Sequence, residues 1–237
     1  MTLLEILRAE KAKKISGGIY HKLQIEFTYN SNHIEGSKLS HDQTRYIFET
    51  NTLGVDEVIS LDDVIETANH FRCVDYVIDH AMDDLIQDFI KILHKLLKAG
   101  TSQADEEWFA VGDYKHVPNE VGGRETTAPE DVEKEMQKLL EAYASKSKKT
   151  FEDLVDFHYN FESIHPFQDG NGRVGRLILL KEALKHNIVP FIIDEDLKYF
   201  YYRGLANYKE EKGYLMDTCL TAQDKFKKYL DYFRIQY

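Results

Sequence analysis

Apolar residues return every third or fourth position through most of this chain, and only 4 prolines interrupt them. That period places a buried stripe along one side of each helix, so it restricts the chain to helices packed on helices. Ile19, Leu23, Phe27, Asn30 and Ile34 share one helical face, and Gly36 ends that helix as a C-cap residue. Ser40-His41-Asp42-Gln43 has a capping-box pattern and opens a helix through Phe48. Ser60 opens another toward His80, and Asp84 to Leu97 carries Leu85, Phe89, Ile92, Leu93 and Leu96 on its apolar side. Helical spacing resumes at Glu130–Tyr143, at Phe151–Ile164 behind a Thr150 cap, and at about Gly172–His186. It continues at Leu197–Glu210 and Tyr214–Phe233. The stretch from Gly100 to Pro129 breaks the pattern. Gly112, Gly122, Gly123, Pro118 and the run Trp108–Val111 suggest a hairpin or an extended loop there, with the β excursion at about 106–127. The expected fold is mainly all-α with one small β excursion.

Composition narrows the function. With 43% hydrophobic residues in 237, the chain can build a core. Its 41 acidic against 30 basic residues give a net charge of −11, which argues against nucleic-acid partners and anionic membranes. No apolar run approaches the roughly 20 residues of a membrane span. The N-terminus lacks the features of a signal peptide. Cys73 and Cys219 match neither a metal-ligand spacing nor a disulfide framework. A cytoplasmic protein is expected.

One segment concentrates chemistry. His165-Pro166-Phe167-Gln168-Asp169-Gly170-Asn171-Gly172 interrupts two helices and is followed by Arg173 and Arg176. Glycines flanking Asn171 just before a helix allow close backbone approach, and a helix N-terminus offers unpaired N–H donors to phosphate. Arg173 and Arg176 are three apart and suit further phosphate oxygens. Asp169 is the hard oxygen ligand that Mg²⁺ takes beside phosphates. His165 titrates near neutrality and suits a general base. Each feature alone is commonplace; twelve consecutive positions holding all of them point to one bound nucleotide.

His165 to Arg176 matches at every specified position the pattern HxFx(D/E)GNGRxxR, and the chain resembles the Fic family. The resemblance implies the Fic fold, a helical domain with a β-hairpin flap at Gly112–Thr127 that offers a strand edge to a protein segment. It implies transfer of AMP from ATP to a Ser, Thr or Tyr hydroxyl of a protein. In that scheme His165 deprotonates the hydroxyl, Asp169 binds Mg²⁺, and Gly170, Asn171 and Gly172 form the anion hole. Arg173 and Arg176 hold the outer phosphates. Gly172 stands where phosphate-transferring relatives carry Lys, which favours nucleotidyl transfer.

Ser31-Asn32-His33-Ile34-Glu35-Gly36 is similar to the family's inhibitory motif (S/T)xxxE(G/N). Ser31 and Glu35 are four apart and share a helix face. The resemblance implies that Glu35 pairs with Arg176 and blocks the γ-phosphate. The expected organisation is a segment 1–39 with this inhibitory helix, then a unit 40–237 of catalytic domain and C-terminal helices. Tyr201, Tyr202 and Asn207 become candidate walls for the adenine base. Expected partners are ATP and a protein target, with a homodimer and self-modification as further possibilities, but no nucleic acid and no membrane. Two alternatives stand: Glu35-dependent removal of AMP from a modified protein, and a nucleotide-binding regulator without turnover.

Overall fold

In the computed structural model, which describes residues 1–54 and 58–237, helices form wherever the apolar period is sustained. The chain opens with α1 (Leu3–Lys13), capped by a reciprocal Thr2–Glu5 pair. This helix does not stand out from the apolar spacing, since only Leu3, Leu4 and Leu7 are buried. Next comes α2 (Ile19–Ile34), followed by Gly36 at φ +100°. Helix α3 (His41–Thr50) has the expected Ser40–Gln43 capping box and runs two residues beyond Phe48. Helix α4 (Leu61–Asp79) follows.

Helix α5 (Gln87–Lys98) starts three residues later than Asp84. Its buried face is Phe89, Ile90, Leu93, His94, Leu97 and Lys98, while Ile92 faces solvent. The expected stripe is therefore rotated, because a histidine and a lysine occupy core positions that apolar counting passes over.

The β excursion is smaller than expected. Strands β1 (Glu120–Val121) and β2 (Arg124–Glu125) pair antiparallel across the Gly122-Gly123 turn, both glycines having positive φ. Trp108–Val111 is not in a strand; Phe109 is buried against the His94 ring instead.

The second half alternates long helices: α6 (Pro129–Ala144), α7 (Phe151–Ile164), α8 (Asn171–Lys185), α9 (Glu195–Ala206) and α10 (Gly213–Tyr232). Thr150 and Asp153 form the capping box of α7. Helix α9 ends at Ala206, four residues short of Glu210, where Asn207 closes it.

Helix α8 occupies the centre. Nearly every residue from Asn171 to Leu184 is buried, and it packs against α7, α4, α5 and α2. A helix buried on all sides has no polar stripe. One apolar cluster joins Leu7, Leu23, Val77, Leu93, Phe161 and Leu177, so α1 and α2 share a core with the central helices. A second joins Leu154, Leu179, Tyr201, Leu215 and Cys219. Here α9 crosses α10 so closely that a Cβ on Gly204 would lie 2.7 Å from the Leu215 Cα. Among the described residues, no helix is long and apolar enough to cross a membrane.

Candidate active site

The motif loop lies between α7 and α8, and its shape follows from a few local contacts. His165 ends α7 in the left-handed region, φ 52°, with its N–H on the Phe161 carbonyl at 2.9 Å. That conformation is uncommon for a residue with a side chain and turns the chain sharply out of the helix. Phe167 is fully buried and stacks on His94, ring centroids 4.0 Å apart. Asn171 then staples the loop: its Oδ1 accepts from the Phe167 N–H and its Nδ2 donates to the Phe167 carbonyl, both at 2.8 Å. The Asn171 side chain is thus committed to loop geometry. Gly170 precedes α8 at φ +82°, as its turn requires, and gives the helix no side-chain cap. The first N–H groups of α8 keep their capacity to bind an anion.

Along this loop the charged groups fall into two clusters. Arg173 and Arg176, three apart, take different partners. Arg173 pairs with Glu66 of α4 and reaches Asp169 at 3.3 Å. Asp169 also accepts from Lys98 of α5 at 2.7 Å, and Lys98 pairs with Glu66 in turn. Burial would raise the Asp169 carboxyl, but Arg173 and Lys98 outweigh it and bring it down to about 2. Arg176 turns toward α2. Its Nε donates to Ser31 Oγ at 3.0 Å, and its terminal nitrogen donates to the Ser31 carbonyl at 2.9 Å and to Glu35 Oε1 at 2.6 Å. The Glu35 carboxylate lies on the first turn of α8: a Cβ placed on Gly172 would be 2.3 Å from Glu35 Oε1 and 3.0 Å from an Arg176 nitrogen. Glycine at 172 is what lets the carboxylate sit there.

His165 is held neutral. Burial chiefly, then the nearby Lys115 cation, depresses its imidazole to about 4. Its Nδ1 is buried with no hydrogen-bond partner among the described residues. Lys115 belongs to the segment leading into the flap and anchors it. Its amine donates to Asn119 Oδ1 at 2.7 Å and to Thr126 Oγ1 at 2.5 Å, its N–H bonds the Pro166 carbonyl, and Asn119 bonds the Phe167 carbonyl. The flap is therefore pinned to the motif loop beside His165.

A cavity of about 610 Å³ opens between the flap, α7 and α9, lined among others by Arg124, Thr126, Tyr159, Glu162, Tyr202 and Leu205. That volume suits a nucleotide. Of the three expected base-pocket residues, Tyr202 lines it. Tyr201 lies in the core with its hydroxyl 2.6 Å from His158, and Asn207 bonds the Arg203 carbonyl; neither is part of the lining. Sequence reasoning missed Glu162, one turn before His165. Burial pushes its carboxyl up to about 8, against the pull of Arg176. Position 162 carries no signal of its own in one sequence. Glu66 and Lys98 are equally silent, since they meet the motif only through the fold.

Known proteins share the fold, and a family model matches the stretch that holds the loop. Residues 84–182 match the model of the Fic/DOC family, a stretch that contains His165 to Arg176 but not Ser31 or Glu35. The chain is 28% identical over 219 residues to a protein named Protein adenylyltransferase Fic from Nematostella vectensis, covering 87% of this chain and 48% of that protein. The protein of the same name from Drosophila melanogaster is 28% identical over 191 residues, covering 77% and 37% respectively. The chain thus spans about half, or less, of the curated relatives it matches. Among solved structures, a Fic domain containing signaling protein from Bacteroides thetaiotaomicron superposes with a TM-score of 0.72. The two are 26% identical, over 97% of this chain and 90% of that one. Fic-1 from C. elegans gives 0.73 at 19% identity, covering 98% and 71%, a likeness of fold. The architecture is that of the Fic fold. The stretch that matches the Fic/DOC family, residues 84–182, runs from just before α5 to near the end of α8.

Proposed function

We propose that this protein transfers AMP from ATP to a hydroxyl of a protein, itself included, and that Glu35 holds it in check. The observation that carries the reading is the neutral, half-buried His165 set one short loop before the N-terminus of α8, which has no side-chain cap, with Asp169 between them. His165 takes the proton of a Ser, Thr or Tyr hydroxyl. The hydroxyl oxygen then attacks the α-phosphorus, the bond to the bridging oxygen breaks, and pyrophosphate leaves. An imidazole kept neutral above about pH 4 can accept that proton across the physiological range. The first N–H groups of α8, with Gly170 and Gly172 leaving the backbone open, take the phosphates, and Arg173 and Arg176 grip the outer ones.

The residues fit a divalent cation. Asp169 is ionised, its side chain is partly exposed, and among the described residues no side chain pairs with Oδ1. Asp169 would hold Mg²⁺, which when bound neutralises charge building on the leaving pyrophosphate.

Glu35 supports the regulatory half of the reading. Its carboxylate occupies the first turn of α8 and one face of Arg176, both of which the phosphates need. The base belongs in the cavity walled by Tyr202, and the target segment at the flap edge by backbone pairing. The cytoplasm is the proposed location, in keeping with two buried free thiols at Cys73 and Cys219. The test is mass spectrometry of the purified chain and candidate targets after incubation with mixed nucleotides and Mg²⁺. An AMP adduct on a hydroxyl, lost in His165→Ala, is the expected result. Release of AMP from a pre-modified target without ATP would assign the reverse reaction, and nucleotide binding without any adduct would assign a regulator.

A further inference from the structure

Lys98 is an uncommon residue to find in a core. Its side chain is buried, on the inner face of α5, and its amine has three acceptors: Glu66 Oε1, Gln103 Oε1 at 2.7 Å and Asp169 Oδ2 at 2.7 Å. An ammonium has three protons, so all are used. Together with Arg173 it forms a closed group of two cations and two carboxylates. Glu66 takes Lys98 on one oxygen and Arg173 on the other, while Asp169 Oδ2 receives both cations. Among the described residues there is no cluster of three metal-ligating side chains. Asp169 is the carboxylate this reading offers to a divalent ion, and its Oδ2 already receives two protein cations.

We propose that Lys98 is a positioning residue that acts as a tethered counter-ion on Asp169, so that the site accepts a divalent cation as its nucleotide complex and resists the bare ion. The inference rests on the reading of Asp169 as the cation ligand. Lys98 holds Oδ2 and leaves Oδ1 without a side-chain partner among the described residues, which fixes how the carboxylate is presented. Its positive charge, one carboxylate away from the ion, opposes any cation that brings no anionic oxygens of its own. A polyphosphate supplies those oxygens and tips the balance. When the ion binds, Lys98 can release Oδ2 and keep Glu66 and Gln103, so withdrawal leaves no buried ammonium unpaired. Glu66 sets the strength of the device. The more tightly it holds Lys98 and Arg173, the less those cations weigh on Asp169.

The network makes two substitutions move one equilibrium in opposite directions. Lys98→Met keeps the buried stem and removes the charge; Glu66→Gln keeps the shape and pushes both cations onto Asp169. The measurement is Mn²⁺ binding to the full chain by electron paramagnetic resonance, without nucleotide and with saturating ADP, alongside melting temperatures. The parent is expected to bind Mn²⁺ weakly alone and more tightly with ADP. Lys98→Met should bind bare Mn²⁺ on the order of tenfold or more tighter than the parent. Glu66→Gln should bind Mn²⁺ with ADP less tightly, and Asp169→Asn should lose most Mn²⁺ binding. General damage to the fold would weaken every variant alike, so the opposed signs separate a counter-ion from a mere packing role. If Lys98→Met does not fold, Lys98→Gln, which retains a donor without charge, carries the same expectation. Bare Mn²⁺ affinity in the lysine variant equal to or below the parent, with Asp169→Asn still impaired, overturns the counter-ion and leaves the Asp169 assignment standing. Unchanged binding in Asp169→Asn overturns both.

Discussion

Replacing Glu35 by Gly should raise the proposed transfer activity, and the structure gives the scale. Glu35 makes one charge-assisted bond of 2.6 Å to Arg176, whose side chain is only 5% exposed, while its own carboxylate is 30% exposed. A charged hydrogen bond contributes about 1.5–3 kcal/mol, with partial solvent access favouring the lower end. If the blocked state is stabilised by that contact, its loss raises the competent population about 10- to 100-fold. Arg176 would still be held by Ser31 through Nε and the backbone carbonyl, so it stays near its present position. The removal has a structural cost, because a buried guanidinium loses its counter-charge. Glu162 offsets part of it: its raised carboxyl loses the repulsion of Glu35 and can ionise toward Arg176. The melting temperature should fall by a few degrees, at about 2–4 °C per kcal/mol for a chain of this size. Glu35→Gln, which keeps a neutral acceptor, should give an intermediate gain. The assay is the initial rate of AMP incorporation at saturating ATP, with circular dichroism to confirm folding. A folded Glu35→Gly protein that labels no faster than the parent would falsify the brake.

Other outcomes follow from the same geometry. His165→Ala should abolish transfer while ATP affinity by calorimetry stays within about threefold, because the imidazole acts on the hydroxyl and not on the phosphates; a large loss of ATP binding would contradict that role. With His165 held at about 4 by burial and Lys115, the acid limb of kcat/KM should lie well below the ordinary histidine range. Lys115→Met should move that limb upward, since losing a neighbouring cation favours the imidazolium; an unmoved limb would remove Lys115 from the account. His94 and His158 are buried and held at about 3, so the unfolded chain gains protons first as pH falls below 6.5. Their stabilisation is complete above 6.5 and lost toward 3, and calorimetric melting temperatures should fall across that window. Gly204→Ala should destabilise by about 1–3 kcal/mol, because its methyl would strike the backbone of Leu215 where α9 crosses α10; an unchanged melting temperature would deny that close crossing.

What the sequence revealed is mostly what is local. The Ser40 and Thr150 caps and the Gly36 stop depend on neighbours three or four positions away, and the corresponding helix ends lie where spacing places them. The order of His165, Asp169 and the glycines is likewise local, and the loop brings them together at the start of α8. Elsewhere periodicity misled for a physical reason. His94 and Lys98 count as polar, yet one stacks on Phe167 and the other is satisfied by three acceptors, which rotates the buried face of α5. Aromatic and β-branched content at Trp108–Val111 suggested strand, but Phe109 is held by packing against α5 rather than by a ladder. In α1, the Thr2–Glu5 capping box was readable, though the helix buries too few residues to show a stripe. The charge group around Asp169 joins residues 66, 98, 169 and 173, and no spacing rule links Lys98 to a carboxylate 71 residues further on or Glu66 to an arginine 107 residues further on.

The measurement that reaches the central claim most directly is intact-protein and peptide mass spectrometry of the chain incubated with ATP and Mg²⁺, comparing the parent, Glu35→Gly and Glu35→Gly/His165→Ala. The account predicts an AMP adduct on a Ser, Thr or Tyr side chain, more abundant in Glu35→Gly than in the parent and absent when His165 is also replaced. A folded Glu35→Gly protein that binds ATP but carries no adduct, neither on itself nor on any protein in a cell extract supplied as target, would contradict it.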